Sequence, residues 1–544
     1  LGERERRALR RLSAFPDGFT LEAAEEVLGG DALEAIEELV AQSLLTVADT
    51  GRGVRYRMLE TVREFGRMRL EAAGETAEAR AAVRAWAVGY AGRHGARLFS
   101  REQVEAMDRL RAEETNLTDV LREAVADPDP EAAVVLFSSL SGYWSIRGDF
   151  PRCLTFTPPV ASALAGWTPP PRLLDRTRVA LVVALFNILF MFYSEEFRDM
   201  LAKLSGLGAD SADPRVRALV TVLLTLVTDP DHGFDELVAD PDPVIRKVAL
   251  HLLSHGRENA GDRAGAIEAA KAALRLVDED DGPWQGAVLR IQLASLLAQI
   301  GDHAAAVRHA AEAVPVLERL GSLDEVIQFR SILAMSALAE GRRDEAERMI
   351  AELERLAPQG TSGEALSADL CRAQLALVDG EIAKGLRLHR EVAEELRRRS
   401  VPGAPDGITP WSILADVLAL AAYAQHGEGD EGADLFELLR GKVMGVFEMD
   451  RRFLDFPAAG MVLAGLGLWG LLKGALPVED AVRLLVLAER FAYNQYTLTM
   501  RWPVLAAHAE RVAPGMLSRI AAEYGERRGP DLLAEARAVL KRVV

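Results

Sequence analysis

His251 and His255 stand four residues apart in VIRKVALHLLSHG, a spacing that puts two imidazoles on one face of a helix. Paired imidazoles can hold zinc, but such a site needs a third protein ligand. None accompanies them here, and the pair reads more simply as packing or surface residues. Gly441-Lys442-Val443 is the closest approach to a phosphate-binding loop, and it lacks both the upstream glycine and the Ser or Thr that would hold magnesium. The run Arg397-Arg398-Arg399 can meet a phosphate or an acidic partner, or simply end a helix with favourable charge. Cys153 and Cys371 lie too far apart for a disulfide framework or a zinc spacing and read as reduced core thiols. No nucleophile–base pairing stands out. The sequence therefore assigns no catalytic residue, no metal ligand and no cofactor-binding residue to this chain.

The elements that would carry such residues are those of a soluble globular protein. In 544 residues the hydrophobic share is 49% and the charged share 27%. A net charge of −18 makes duplex DNA a poor partner for the chain as a whole. The start, LGERERRALRRL, has no apolar leader segment, and a first residue that is Leu suggests a fragment or a processed piece. Two apolar stretches, Val179 to Tyr193 and Phe456 to Leu472, fall short of a membrane span and read as buried helices. The expected setting is the cytoplasm, without membrane contact. The sequon Asn116-Leu117-Thr118 carries no meaning there.

Residues 1–80 form a distinct unit. Leu9, Leu12 and Phe15 fit a first helix that the Pro16 to Gly18 turn breaks. Thr20 caps a second helix ending before Gly29-Gly30, and Asp31 with Glu34 has capping-box spacing for a third that runs to about Gln42. LLTVAD and VRYRM flank Thr50-Gly51-Arg52-Gly53 as a hairpin. Three helices and a two-stranded wing predict a winged helix. The following helix carries Met58, Val62 and Phe65 as an apolar stripe, with Arg57, Glu60, Arg63, Glu64 and Arg67 opposite, and runs to Gly74. This unit holds 12 arginines and no lysine against 16 acidic residues, and its third helix has acids but no base. That is the wrong sign for a major-groove helix, so the unit is expected to pack against protein.

After Ala81 the chain reads as helix after helix. Gly261, Gly301, Gly341 and Gly380 recur at spacings of 40, 40 and 39 residues, each followed five positions later by a small residue: Ala266, Ala306, Ala346 and Gly385. Glycine turns and small packing residues at a fixed period predict tetratricopeptide-like helix pairs stacked into an arm. YWSIRGDF around Gly148 and LVLAERF near the C-terminus look like weaker copies. Proline-bearing loops interrupt the arm at Asp127 to Pro130, Thr168 to Pro171 and Arg399 to Pro410. The expected fold class is all-α, a small winged helix with a short β-wing followed by a tetratricopeptide-like α-solenoid. The expected domains are 1–80, winged helix; 81–145, helical connector; and 146–544, repeat arm.

RYRMLETVREFGRMRLEAAGE, preceded by LRRLSAFPDGFTLEAAEEVLGG and LVAQSLL, resembles the winged-helix segment of bacterial signal-transducing NTPase regulators of the STAND class, relatives of NB-ARC switch proteins. The nearest branch is the actinobacterial antibiotic-regulatory and LuxR-like one. MDRLRAEETNLTDVLREAV, Met107 to Val125, resembles the acidic-residue-plus-NL segment that follows the winged helix there. The resemblance is specific over about residues 1–150 and architectural beyond. In related switches a Met-His-Asp motif on the winged helix contacts the nucleotide phosphate; the matching positions here are Met58, Leu59 and Glu60. Leu59 has no donor for a phosphate, so the resemblance implies a clamp instead, through packing by Leu59 and charge pairing by Glu60, Arg63 and Arg67. The same helix also reads as the closure of the winged-helix core. By this resemblance the chain is the sensor and regulatory part of a multidomain transcriptional regulator. Its ATP- or ADP-binding domain and its DNA-binding effector domain lie outside it, and it holds no cofactor of its own. A protein, peptide or small-molecule signal would meet the repeat arm, on the groove between about Asn259 and Glu395, and activation would involve oligomerisation. A protein-binding scaffold without a switch and the regulatory arm of a STAND-type enzyme are the rival readings.

Overall fold

A computed structural model describes residues 1–30, 32–49, 53–189, 195–229, 232–356, 366–398, 410–448 and 454–544. The fold is all-α: a winged helix with one small two-stranded sheet, followed by a tetratricopeptide-like helical solenoid. By packing, the chain divides into two compact units. The first holds the N-terminal helices down to Leu207 apart from the Ile146–Pro151 turn; the second holds that turn and the helices from Pro214 on.

The first unit opens with α1 (Glu3–Leu12), α2 (Leu21–Leu28) and α3 (Leu33–Ala41), then β1 (Thr46–Asp49), β2 (Val54–Arg57) and α4 (Glu60–Ala72). The Thr20 hydroxyl accepts the Ala23 amide and starts α2, and left-handed Gly29 ends it. The proposed cap of α3, Asp31, and the hairpin residues 50–52 lie outside the described residues. β1 and β2 pair antiparallel, with Thr46 opposite Arg57, and Tyr56 also exchanges backbone hydrogen bonds with Phe19. α5 (Thr76–Gly95), α6 (Gln103–Ala126), α7 (Pro130–Arg147), α8 (Phe150–Leu164), α9 (Leu174–Leu189) and α10 (Glu195–Leu207) complete the unit. Phe15 meets Trp86 of α5 edge-on at 5.1 Å, which ties the core of the winged helix to the helices behind it.

The second unit runs α11 (Pro214–Thr228), α12 (Gly233–Val238), α13 (Pro243–Asn259), α14 (Arg263–Leu274), α15 (Pro283–Gln299), α16 (His303–Leu320), α17 (Leu323–Ala339), α18 (Arg343–Leu356), α19 (Ser367–Val378) and α20 (Ile382–Arg398). It continues with α21 (Pro410–His426), α22 (Ala433–Glu448), α23 (Phe456–Leu472), α24 (Val478–Arg490), α25 (Trp502–Val512), α26 (Met516–Tyr524) and α27 (Leu533–Val543). Between α13 and α14, Gly261 takes a φ of +82°, the Asp262 amide reaches back to the Arg257 carbonyl, and the Asp262 carboxylate caps the next helix at the Gly265 amide. One glycine thus ends a helix while its neighbour begins the next. Gly301-Asp302 repeats the device between α15 and α16. Gly341 and Gly380 make the corresponding turns at φ +76° and +79°. Ala266, Ala306 and Ala346 are fully buried, and a methyl added to Gly385 would come within 2.6 Å of Leu377. α23 is buried along nearly its whole length, and no described helix is long and apolar enough to cross a membrane. The 399–409 loop lies outside the described residues.

Candidate functional site

The helix after the wing, α4, is held on α1 by a close approach. A Cβ at Gly66 would lie 2.6 Å from the Ser13 Cβ and 3.2 Å from the Leu9 carbonyl, so only glycine lets the two helices touch there. That contact fixes the rotation of α4. Gly66 and Leu70 are its buried residues and Val62 is half-buried, which makes the inward edge an i, i+4 row. The expected stripe of Met58, Val62 and Phe65 is corrected accordingly: Phe65 turns outward and is 53% exposed, because it lies one residue, about 100° of helix rotation, from the edge that Gly66 sets. Leu59 and Met68 are exposed as well, at 57% and 60%. α4 thus presents apolar side chains to solvent from its start to its third turn. Isolated exposed apolar residues are ordinary; three large ones on one short helix are less so.

The polar residues of α4 are engaged within the chain. Glu60 pairs with Arg63 at 2.5 Å, and this hydrogen bond holds the Glu60 carboxyl below the usual carboxylate range. Arg63 also donates to the Pro16 carbonyl, and Arg67 donates to the Ser13 carbonyl at 3.3 Å. Met58 is half-buried just before the helix, and Leu59 occupies the N-cap position with extended backbone. Arg63 and Arg67 therefore brace α4 against the turn after α1, while Leu59 faces out.

A buried polar clamp joins the wing to α6. Arg55 on β2 donates to both carboxylate oxygens of Glu113, at 2.8 and 3.1 Å, and to the carbonyls of Asp17 and Gly18. Asn116, one turn along α6, donates to Glu113 at 2.7 Å and to the Gly18 carbonyl at 2.9 Å, and accepts the Asp17 amide. The side chains of Arg55 and Glu113 are 6% and 1% exposed. Burial opposes the Arg55 charge, but the hydrogen bonds to Glu113 outweigh it and hold the guanidinium more basic than usual. Glu114, the next residue, faces elsewhere and accepts from Tyr143 and Trp144, each at 3.0 Å, and from Arg152. The EETNL motif is a two-sided joint: one carboxylate grips the wing, the other grips α7 and α8. Sequence reasoning singled out this stretch only by resemblance. A physical signal was present, since Glu113 falls among Ala106, Leu110, Leu117 and Leu121 on the inward face of α6, where a charge demands a partner.

The exposed side of α3 carries Glu34, Glu37 and Glu38, with Glu34 paired to Arg4 at 2.5 Å. This is an acidic surface where a DNA-reading helix would be basic. In the second unit, His251 and His255 do lie side by side, 5.3 Å between ring centres, with Gln285 3.2 Å from the His251 Nδ1. His251 is half-buried and His255 exposed; burial pushes the His251 imidazole down to about 3, with neighbouring His255 adding to it, and pushes that of His255 down to about 4. Among the described residues no group of three or more His, Cys, Asp or Glu is placed to hold a metal. Lys442 lies within α22, 3.8 Å from Asp416, rather than in a phosphate loop. Arg397 pairs with Asp416 and Arg398 with Glu395, while Arg399 lies outside the described residues. Asn116, the acceptor of the sequon, is fully buried.

These features define a winged-helix protein with a helical-repeat arm. Residues 1–71 match the family model described as a winged helix-turn-helix domain. A search of curated proteins returns no match. Among solved structures, one that overlaps the chain is a Rap protein complexed with competence and sporulation factor, at 12% identity, 74% of this chain, 99% of that chain and a TM-score of 0.41. Another is a STAND signal transduction ATPase with a tetratricopeptide repeat sensor from Pyrococcus horikoshii, at 13% identity and a TM-score of 0.34; the overlap takes in 100% of this chain and 65% of that one.

Proposed function

We propose that this chain is the signal-sensing, regulatory part of a STAND-type transcriptional regulator, controlling a nucleotide switch and an effector domain that are not among these residues. The observation that carries the reading is the outward Phe65–Met68 face of α4, both side chains more than half exposed, with Leu59 also exposed at the N-cap, on the helix that resembles the switch-contacting segment of that class. In a regulator, that face would meet the chain's own nucleotide-binding domain in the resting state and be released on activation. A contact can bias the switch only if it is made in one state and lost in the other. The acidic outer side of α3 supports protein rather than DNA as the neighbour of the winged helix, so DNA binding would fall to a domain elsewhere. The buried joint of Arg55, Glu113 and Asn116 supports the winged helix and α6 moving as one piece. ATP or ADP would bind the partner domain, with assembly into an oligomer on activation. The repeat arm would receive the signal.

The test is Phe65→Asp in the intact protein and in the present chain. In this chain alone the melting temperature stays within a few degrees of wild type, because the side chain is already half in water. In the intact protein basal nucleotide turnover and reporter output rise. Basal output equal to wild type in an intact Phe65→Asp, Met68→Asp protein overturns the proposal.

A further inference from the structure

The link from α24 to α25 does not run over the surface as a connecting segment normally would. Residues 491–501, FAYNQYTLTMR, thread along helices of successive repeats. Arg263, at the α13–α14 turn, donates to the carbonyls of Ala492 and Tyr493, the latter at 3.1 Å. Leu498 packs on the core made by α17, α18 and α19. Arg501 donates to the Ala339 carbonyl at the end of α17. Gln374 of α19 donates to the Thr499 hydroxyl at 3.2 Å, and Gln425 of α21 to the Thr499 carbonyl at 2.7 Å. Ten residues span at most about 35 Å, yet these reach helices drawn from four repeats, so the repeats curve around the segment. Stacked helix pairs make such a concave face, and it suits an extended polypeptide. Residues 491–501 lie against part of the stretch where the groove is expected, at the α13–α14 turn, the end of α17 and α19.

The fit is incomplete. Thr497 Oγ1, Gln374 Oε1 and His389 Nδ1 are all buried and none has a hydrogen-bond partner within the chain. Buried polar atoms are costly unless water or a ligand reaches them. The segment is also entered through Ala492 at φ +55°, a left-handed conformation that alanine rarely adopts. In contrast, Tyr493 and Met500 are fully buried, and the Tyr493 hydroxyl donates to the Met500 carbonyl at 2.7 Å. Two firm anchors flank a poorly satisfied middle. Beside that middle, burial pushes the Tyr496 hydroxyl up to about 12, with Asp455, Cys371 and Glu258 adding to the rise.

We propose that the inner face of α13, α17, α19 and α21 is a receptor for a peptide that runs open and closes on a single 3-10 turn, and that residues 494–499, which enter such a turn at Leu498–Met500, are its built-in, displaceable occupant. The matching partner is a peptide with an apolar residue at the place of Leu498 and a hydroxyl at that of Thr499. This rests on the reading of the arm as a sensor. A signal peptide would bind by expelling the middle of the segment, hinged at Tyr493 and Met500, and the self-segment would set the threshold for response.

Two measurements on the 544-residue chain test this. In the first, residues 494–498 are replaced by a glycine–serine stretch of equal length, and binding of a fluorescent peptide with the sequence of residues 492–501 is followed by anisotropy. The replaced chain binds at least tenfold tighter than wild type, and Gln425→Ala weakens binding. In the second, which needs no variant, the same peptide at saturation speeds hydrogen exchange of the wild-type chain's own 494–499 amides. A folded replaced chain that does not bind the peptide overturns the proposal. So do wild-type 494–499 amides that stay as slow as those of α23 with peptide present, since the segment is then fixed core. Neither measurement depends on nucleotide turnover or reporter output. Loss of the regulatory reading and loss of the peptide groove are therefore separate results.

Discussion

Removing the Glu113 carboxylate isolates what the joint between the wing and α6 contributes. In Glu113→Ala the Arg55 guanidinium stays buried with the Asp17 and Gly18 carbonyls and, 3.8 Å away and beyond hydrogen-bond reach, the half-exposed Asp17 carboxylate, and Asn116 loses one of its partners. Breaking one side of a buried, hydrogen-bonded ion pair costs about 3–5 kcal/mol, most of it the uncompensated charge. For a unit of roughly 200 residues each kcal/mol moves the melting temperature by about 2–4 °C, so the transition of the unit built from α1 to α10 falls by about 6–20 °C. The assay is calorimetry of the whole chain, with hydrogen exchange at Phe19 and Tyr56, whose amides each donate to the other's carbonyl, to assign the transition to this unit. The double variant Arg55→Met, Glu113→Leu removes both charges at once and recovers most of the loss, because apolar side chains of similar volume satisfy a buried site without desolvating ions. Glu60→Ala leaves the transition in place, since its pair with Arg63 is exposed. The reasoning fails if Glu113→Ala melts within about 2 °C of wild type, or if the double variant is no more stable than Glu113→Ala.

A pH dependence resides at Asp416, whose side chain is 0% exposed beside Arg397 and Lys442, and which burial pushes up to about 6. The folded value lies above the unfolded value of about 3.9, so the native state holds this proton more tightly; the contribution is intact below about pH 4 and is lost as pH rises through about 6, on the order of 2–3 kcal/mol. Denaturant titrations at pH 4.5 and 7.5 should show that Asp416→Asn lacks this change, and equal pH dependence in both proteins refutes it. Gly261 and Gly301 make the same turn at φ +82° and +85°, but a methyl meets nothing within 4 Å at Gly301, whereas at Gly261 it lies 3.3 Å from Ala492 and from the Phe491 carbonyl. Thermal melts should show about 1–2 kcal/mol of backbone cost for Gly301→Ala and a larger loss for Gly261→Ala; equal losses would mean that the self-segment does not press on that turn.

The sequence by itself determined the elements and their order. The 3.6-residue periodicities, the Thr20 cap and the glycine-aspartate turns at Gly261 and Gly301 are local: each acts through hydrogen bonds and dihedral angles within a few residues, and each is written where it acts. So is the charge of α3, whose acids and lack of any base are set by its own residues. What only the tertiary structure decided depends on partners distant in the chain. The outward turn of Phe65 follows from Gly66 meeting Ser13, a contact that no pattern within α4 encodes, and a one-residue error in the packed edge moves a side chain by about 100°. Arg55 finds Glu113 across 58 residues, although a carboxylate on the apolar face of α6 announced that some cation had to come. Residues 491–501 look like any turn between two helices; that they lie against the inner face of the repeats is set by the curvature that stacking produces, which belongs to the assembled arm and to no one stretch of it.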